Sequence, residues 1–144
     1  MIIMRKTITT LLTAIALTAV SWLAQTAVLD DIESHIIQAR SYLLAMMDAT
    51  NKATLDKQGA FVTEATQKAD AALATALADP AQAANAAKLK ELQSVWDQFK
   101  ATRDQEIIPA LYADDLAKAK ELASSIQVDR FKKMAGLLNE LRKK

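Results

Sequence analysis

A chain of 144 residues has room for one domain and a short appendage, because domains commonly span about 100 to 150 residues. Its 2 glycines, 2 prolines, single histidine and lack of cysteine leave few turn-forming residues, and they exclude disulfides, cysteine-ligated metal centres and a cysteine nucleophile. The 18 basic and 17 acidic residues give a formal charge of +1 at pH 7, which argues against a nucleic-acid-binding surface.

The amino terminus predicts export from the cytoplasm. Arg5 and Lys6 precede an uncharged, mostly apolar run from Thr7 to Leu29, as in a signal peptide. A helix of this length also spans a hydrocarbon core of about 30 Å. We therefore assign residues 1–29 to a signal peptide or a membrane anchor, and residues 30–144 to the folded domain. We expect a periplasmic or other extracytoplasmic location, with residues 7–29 anchoring the protein in the inner membrane if they are retained.

Two amphipathic segments follow residues 1–29, which we call the leader. Apolar residues recur at helical spacing from Asp30 to about Ala53, and this pattern predicts a first helix. The next segment, from about Thr54 to Ala78, has the same periodicity but is richer in alanine.

A third helix is predicted from Pro80 to about Leu111. Asp79 is a favourable helix cap, and proline suits the first helical position because its missing N–H would have no partner there. Pro109 should kink or end the helix near residues 106–108.

A turn at residues 113–115 should lead into a fourth helix, from about Leu116 to Leu141. The apolar stripe of this helix shifts phase between Ile126 and Phe131, which indicates a local stutter. Four such segments joined by short turns predict an all-α, antiparallel, up-down-up-down four-helix bundle preceded by the hydrophobic helix. The predicted core includes Ile32, Ile36, Leu43, Leu92, Trp96, Phe99, Phe131 and Leu138.

Residues 92–123 carry a more specific pattern. An aromatic pair, Trp96 and Phe99, is followed by Arg103 and Asp104, then by a turn and an alanine-rich helix. In this respect the chain from about Asp30 to Leu141 resembles the four-helix-bundle sensory domain of methyl-accepting chemotaxis receptors. The resemblance implies an extracytoplasmic signal-transduction module that binds a small ligand, pairs as a homodimer, or passes a conformational state to a membrane partner. The second membrane helix and signalling region of those receptors do not follow, so we expect a stand-alone sensory-type module.

Three arginines are candidate ligand-binding residues. Arg40 flanks the stripe of the first helix, Arg103 returns to the face of Trp96 one heptad later, and Arg130 lies at the stutter. A guanidinium at a bundle or dimer seam suits a small anionic ligand. The alternatives are a solvated flank residue for Arg40 and an intramolecular ion pair for Arg103, with Asp104 among its candidate partners.

A haem protein is the alternative hypothesis, and it belongs to a different class of function. His35 and Met134 lie on helices that should run side by side, and together they could ligate haem b in an electron-transfer bundle. An accessory subunit of a membrane complex is a third interpretation. We expect no metal site, since Asp31 and His35 supply only two neighbouring ligands. We expect no enzymatic activity, because no paired nucleophile and base is evident. The leading hypothesis is an exported, non-enzymatic module that binds a small ligand or a membrane protein partner.

Overall fold

The computed structural model describes residues 8–143, and it describes side chains from Trp22 onward. The described residues are helical and contain no strand, which confirms the all-α prediction for this part of the chain. The helices are α1 (Ile8–Met47), α2 (Lys52–Ala78), α3 (Ala86–Thr102), α4 (Ile108–Tyr112), α5 (Leu116–Ser124) and α6 (Ile126–Arg142). A 3-10 helix, Pro80–Asn85, leads into α3, and a π-helix, Arg103–Ile107, joins α3 to α4.

These elements form four helical rods. Rod 1 is α1 and rod 2 is α2. Rod 3 runs from the 3-10 helix through α3 and the π-helix to α4, and rod 4 comprises α5 and α6.

The first turn lies earlier than the sequence predicted. We expected the first helix to continue to about Ala53, but α1 ends at Met47 and α2 begins at Lys52. Asn51 is the reason, because its side-chain oxygen accepts a hydrogen bond from the Thr54 backbone N–H at 2.9 Å. This bond satisfies one of the free donors at the start of α2.

The connection between rods 2 and 3 is built as predicted. The Asp79 side chain accepts a hydrogen bond from the Ala81 backbone N–H at 2.9 Å, and Pro80 occupies the first helical position. The first turns of rod 3 are 3-10 rather than α-helical, and they place Gln82 in the interior with 1% of its surface exposed.

Pro109 perturbs rod 3 without ending it. Proline has no N–H to donate and its ring crowds the preceding turn, so a regular α-helix cannot pass through it unchanged. The backbone responds by widening, since the Ile108 N–H bonds to the Arg103 carbonyl five residues earlier. The expected distortion is therefore present as a π-helix that begins one turn earlier than predicted.

Rod 4 begins after a tight turn and is interrupted once. Asp114 has a positive φ of 61°, and the Asp115 side chain caps α5 by accepting the Lys118 N–H at 3.1 Å. The interruption lies at Ser125, between α5 and α6, whereas the sequence placed it after Ile126. The Ser125 hydroxyl donates to the Glu121 carbonyl at 2.8 Å and so competes with regular helical bonding.

The core is centred on Trp96 and Phe99, whose rings stack with centroids 5.6 Å apart. Trp96 also donates its indole N–H to Asp70 of α2 at 2.6 Å. The prediction that Phe131 belongs to the core is wrong, because this residue is only partly buried. The Arg40 guanidinium lies over its ring, 4.7 Å from the centroid. The other predicted core residues are buried, namely Ile32, Ile36, Leu43, Leu92, Trp96, Phe99 and Leu138.

The predicted leader lies mostly outside the described residues. Residues 1–7 and Lys144 are not described, nor are the side chains of residues 8–21. Within the part of the chain that is described, no helix combines the length and the apolar character needed to cross a membrane.

Candidate functional site

A groove with a volume of about 410 Å³ lies between rod 1 and rod 4. We call it the α1/α5 groove. It is lined by Arg40, Leu44, Met47, Asp48, Lys120, Ala123, Ser124 and Val128. Its volume lies within the range of small-molecule sites, which is about 300 to 1,000 Å³.

Arg40 and Lys120 bring positive charge to this groove from two helices. Within residues 22–143, neither side chain forms an ion pair with a carboxylate. Arg40 instead stacks on Phe131, an arrangement that leaves the edge of the guanidinium able to donate hydrogen bonds. Asp48 supplies the one carboxylate of the lining, so the groove keeps a net positive charge.

Arg103 has a different environment, because its hydrogen-bonding groups are already engaged. Its side chain is 4% exposed, and it donates to both carboxylate oxygens of Asp104, at 2.7 and 3.1 Å. A third bond, of 2.8 Å, runs to the Thr66 hydroxyl on α2. The intramolecular pair that the sequence offered as an alternative is the arrangement present here. A ligand at Arg103 would have to displace these bonds.

Arg130 binds to the backbone of a neighbouring helix. Its guanidinium donates to the Gln98 carbonyl at 3.0 Å and to the Thr102 hydroxyl. Beside it, the buried Gln127 donates to the Phe99 carbonyl at 3.0 Å. These bonds connect α6 to α3 just before the π-helix. Arg130 therefore stabilises the packing of rod 4 against rod 3.

The three candidate arginines therefore lie in three separate environments, and only Arg40 lines the groove. Sequence reasoning missed Lys120 and Gln127. Lys120 belongs to an ordinary polar helix face, so nothing in its spacing distinguishes it. Gln127 carried a weak signal, because it is a polar residue beside the phase shift of rod 4.

The haem interpretation fits these residues poorly. The partly exposed His35 imidazole lies 3.3 Å from the Gln38 side-chain oxygen, on the same helix. Met134 is 1% exposed, and the cavity beside it has a volume of about 10 Å³, close to that of one water molecule. A porphyrin needs a far larger space between its two axial ligands.

Comparisons of the chain with protein-family models, with characterised proteins and with solved structures find no match.

Proposed function

We propose that this protein is an exported, non-enzymatic sensory-type module that binds a small organic anion in the α1/α5 groove. The observation that carries the proposal is the pair of unpaired cations, Arg40 and Lys120, in a groove with apolar walls. A carboxylate would receive charge-assisted hydrogen bonds from Arg40, while Leu44 and Val128 would contact the hydrocarbon part of the ligand.

In this proposal the four rods form an antiparallel up-down-up-down bundle. Contacts between the rod ends support it. Arg142, at the end of rod 4, pairs with Asp30 of rod 1 at 2.8 Å. Tyr112, at the end of rod 3, donates to Asp56 near the start of rod 2 at 2.7 Å. Such pairings are expected when helices joined by short turns reverse direction at each turn.

The amino-terminal segment gives the proposed location. The basic residues Arg5 and Lys6 before an uncharged run support export to the periplasm or another extracytoplasmic space. Retention of residues 7–29 would tether the module to the inner membrane, and the intact mass of the exported protein distinguishes a tethered chain from a cleaved one.

The proposed module is a homodimer that pairs through α1. Ile37 and Leu44 are 47% and 37% exposed, and they lie seven residues apart on this helix. Exposed apolar residues at this spacing are typical of a helix that packs against a second helix. Because Leu44 also lines the α1/α5 groove, the dimer seam would border the ligand site.

Replacing Ile37 and Leu44 together by glutamate should weaken dimerisation at least 100-fold, because two apolar layers of the seam would carry like charges. Analytical ultracentrifugation over a concentration series measures this effect. Ile126→Glu is the matched control, since Ile126 is 42% exposed on α6 and should leave the dimer intact. A monomeric wild-type protein at 100 μM, or equal dissociation by the control, would contradict pairing through α1.

The ligand proposal is tested by thermal unfolding in the presence of acetate, succinate, citrate and benzoate. At least one acid should stabilise the protein, by about 2.7 kcal/mol when its concentration is 100 times its Kd. Arg40→Ala should weaken binding of that acid at least tenfold, because a charge-assisted hydrogen bond is lost. Lys132→Ala, which removes an exposed lysine from α6, should leave binding unchanged. No stabilisation by any acid, or equal stabilisation of the Arg40→Ala protein, would contradict the proposal.

A further inference from the structure

A second cavity lies at the end of the bundle where the α1–α2 turn meets the α4–α5 turn. Its volume is about 300 Å³, and we call it the tip pocket. Met46, Met47, Leu55 and Leu111 form much of its wall. Methionine side chains are flexible and polarisable, so such a wall adapts to apolar ligands of different shapes.

Tyr112 adds an aromatic surface to this pocket. The Lys52 ammonium lies 5.5 Å from the centroid of the Tyr112 ring. One face of this ring is therefore already near a cation, which is the kind of group that an aromatic ring attracts.

Most of the charge around the tip pocket is already paired. Lys52 and Asp56 form an ion pair of 2.7 Å, and the Tyr112 hydroxyl donates to the second oxygen of Asp56. The hydrogen bond from Lys52, followed by that from Tyr112, lowers the pKa of Asp56 below its ordinary value. The bond to Asp56 likewise raises the pKa of Tyr112 above its ordinary value.

Asp114 is the exception among the charged residues that line the pocket. Its side chain has no ion pair or hydrogen bond with any residue in the described range 22–143. The charge left unpaired at the tip pocket is therefore negative, whereas the α1/α5 groove has a net positive charge. The two cavities should select ligands of opposite charge.

We propose that the tip pocket binds a small apolar amine, separately from the anion proposed for the α1/α5 groove. The hydrocarbon part packs against Met46, Met47 and Leu55, and the ammonium group pairs with the Asp114 carboxylate. A carboxylic acid of the same shape is rejected, because its charge repels that of Asp114.

The test uses 2-phenylethylamine as the probe and the full chain labelled with ¹³C at the methionine methyl groups. The Met46 signal should shift on titration, because Met46 lines the tip pocket and not the α1/α5 groove, whereas Met47 lines both. The Met134 signal should stay in place, because Met134 lies in the core away from the tip pocket. 2-Phenylethanol should bind at least tenfold more weakly than the amine, and 3-phenylpropionate should produce no shift of the Met46 signal.

Two variants test whether the charge of Asp114 and the space of the tip pocket are needed for binding of the amine. Asp114→Asn should weaken binding at least tenfold while preserving the fold, because asparagine tolerates the positive φ of this position. Leu116→Trp should block binding by filling the mouth of the pocket, since Leu116 lines it and is 37% exposed. Asp31→Asn is the matched control and should titrate like the wild type.

The proposal is overturned if the Met46 signal does not move with 20 mM 2-phenylethylamine. It is also overturned if 3-phenylpropionate moves the Met46 signal equally, or if Asp114→Asn binds the amine as the wild type does. None of these results bears on Arg40, so failure here and failure of the anion proposal can be distinguished.

Discussion

Replacing Trp96 by alanine should lower the free energy of unfolding by about 3–5 kcal/mol, the range for removing a large aromatic side chain from a packed core. Trp96 is 1% exposed, stacks on Phe99, and links α3 to α2 through its hydrogen bond to Asp70. The alanine variant loses the apolar burial, the ring contact and this bond together. Urea unfolding followed by circular dichroism measures the change.

Lys132 provides the control for this experiment. Its side chain is exposed and forms no ion pair within residues 22–143, so Lys132→Ala should change the free energy of unfolding by less than about 0.5 kcal/mol. Trp96→Phe should lie between the two, because it keeps a ring in the core but loses the indole N–H. A cost below about 1 kcal/mol for Trp96→Ala would mean that this residue does not hold the core together.

The second large effect is expected at Arg103. Arg103→Ala should lower the free energy of unfolding by about 2–3 kcal/mol, because it leaves a cavity and removes the hydrogen bond to the Thr66 hydroxyl. Arg103→Met should cost less than about 1 kcal/mol, since an apolar side chain of similar volume often replaces a buried charged group without penalty. Neither variant should change the response to the organic acid proposed to bind in the α1/α5 groove.

The contrast between these two variants separates a structural role from a binding role. If Arg103 were part of the ligand site, the methionine variant would keep its stability but lose the ligand. Thermal unfolding of both variants, with and without the acid, distinguishes these two roles of Arg103 in one series of measurements. Loss of the ligand response in the stable methionine variant would contradict the structural role assigned to Arg103.

The elements that could be predicted from the sequence are those determined by local chemistry. Asp79 and Pro80 indicate the start of a helix, and Pro109 indicates a distortion of one. Each of these residues affects the backbone only within one or two helical turns of itself. The pattern around Trp96 likewise indicates a core face. Asn51 could also have been predicted as a helix cap, but the absence of glycine and proline near it concealed the turn.

The candidate site was less predictable because it depends on which rods pack together. Arg40 was selected for its position beside an apolar stripe, but its neighbour Lys120 lies 80 residues later in the chain and becomes relevant only when α1 and α5 form a groove. Phe131 was expected in the core because of its size. Its contact with Arg40 leaves it at the margin of the core, an outcome that helical spacing alone does not encode.

The most direct test of the account is to observe the arginine side chains during ligand binding. In ¹⁵N-labelled protein titrated with acetate, succinate, citrate and benzoate, at least one acid should move the Nε–Hε signal of Arg40. The signals of Arg103 and Arg130 should remain in place, because their guanidinium groups are bound to Asp104 and to the backbone of α3. An unmoved Arg40 signal with all four acids, or a larger movement at Arg103, would contradict an anion site in the α1/α5 groove.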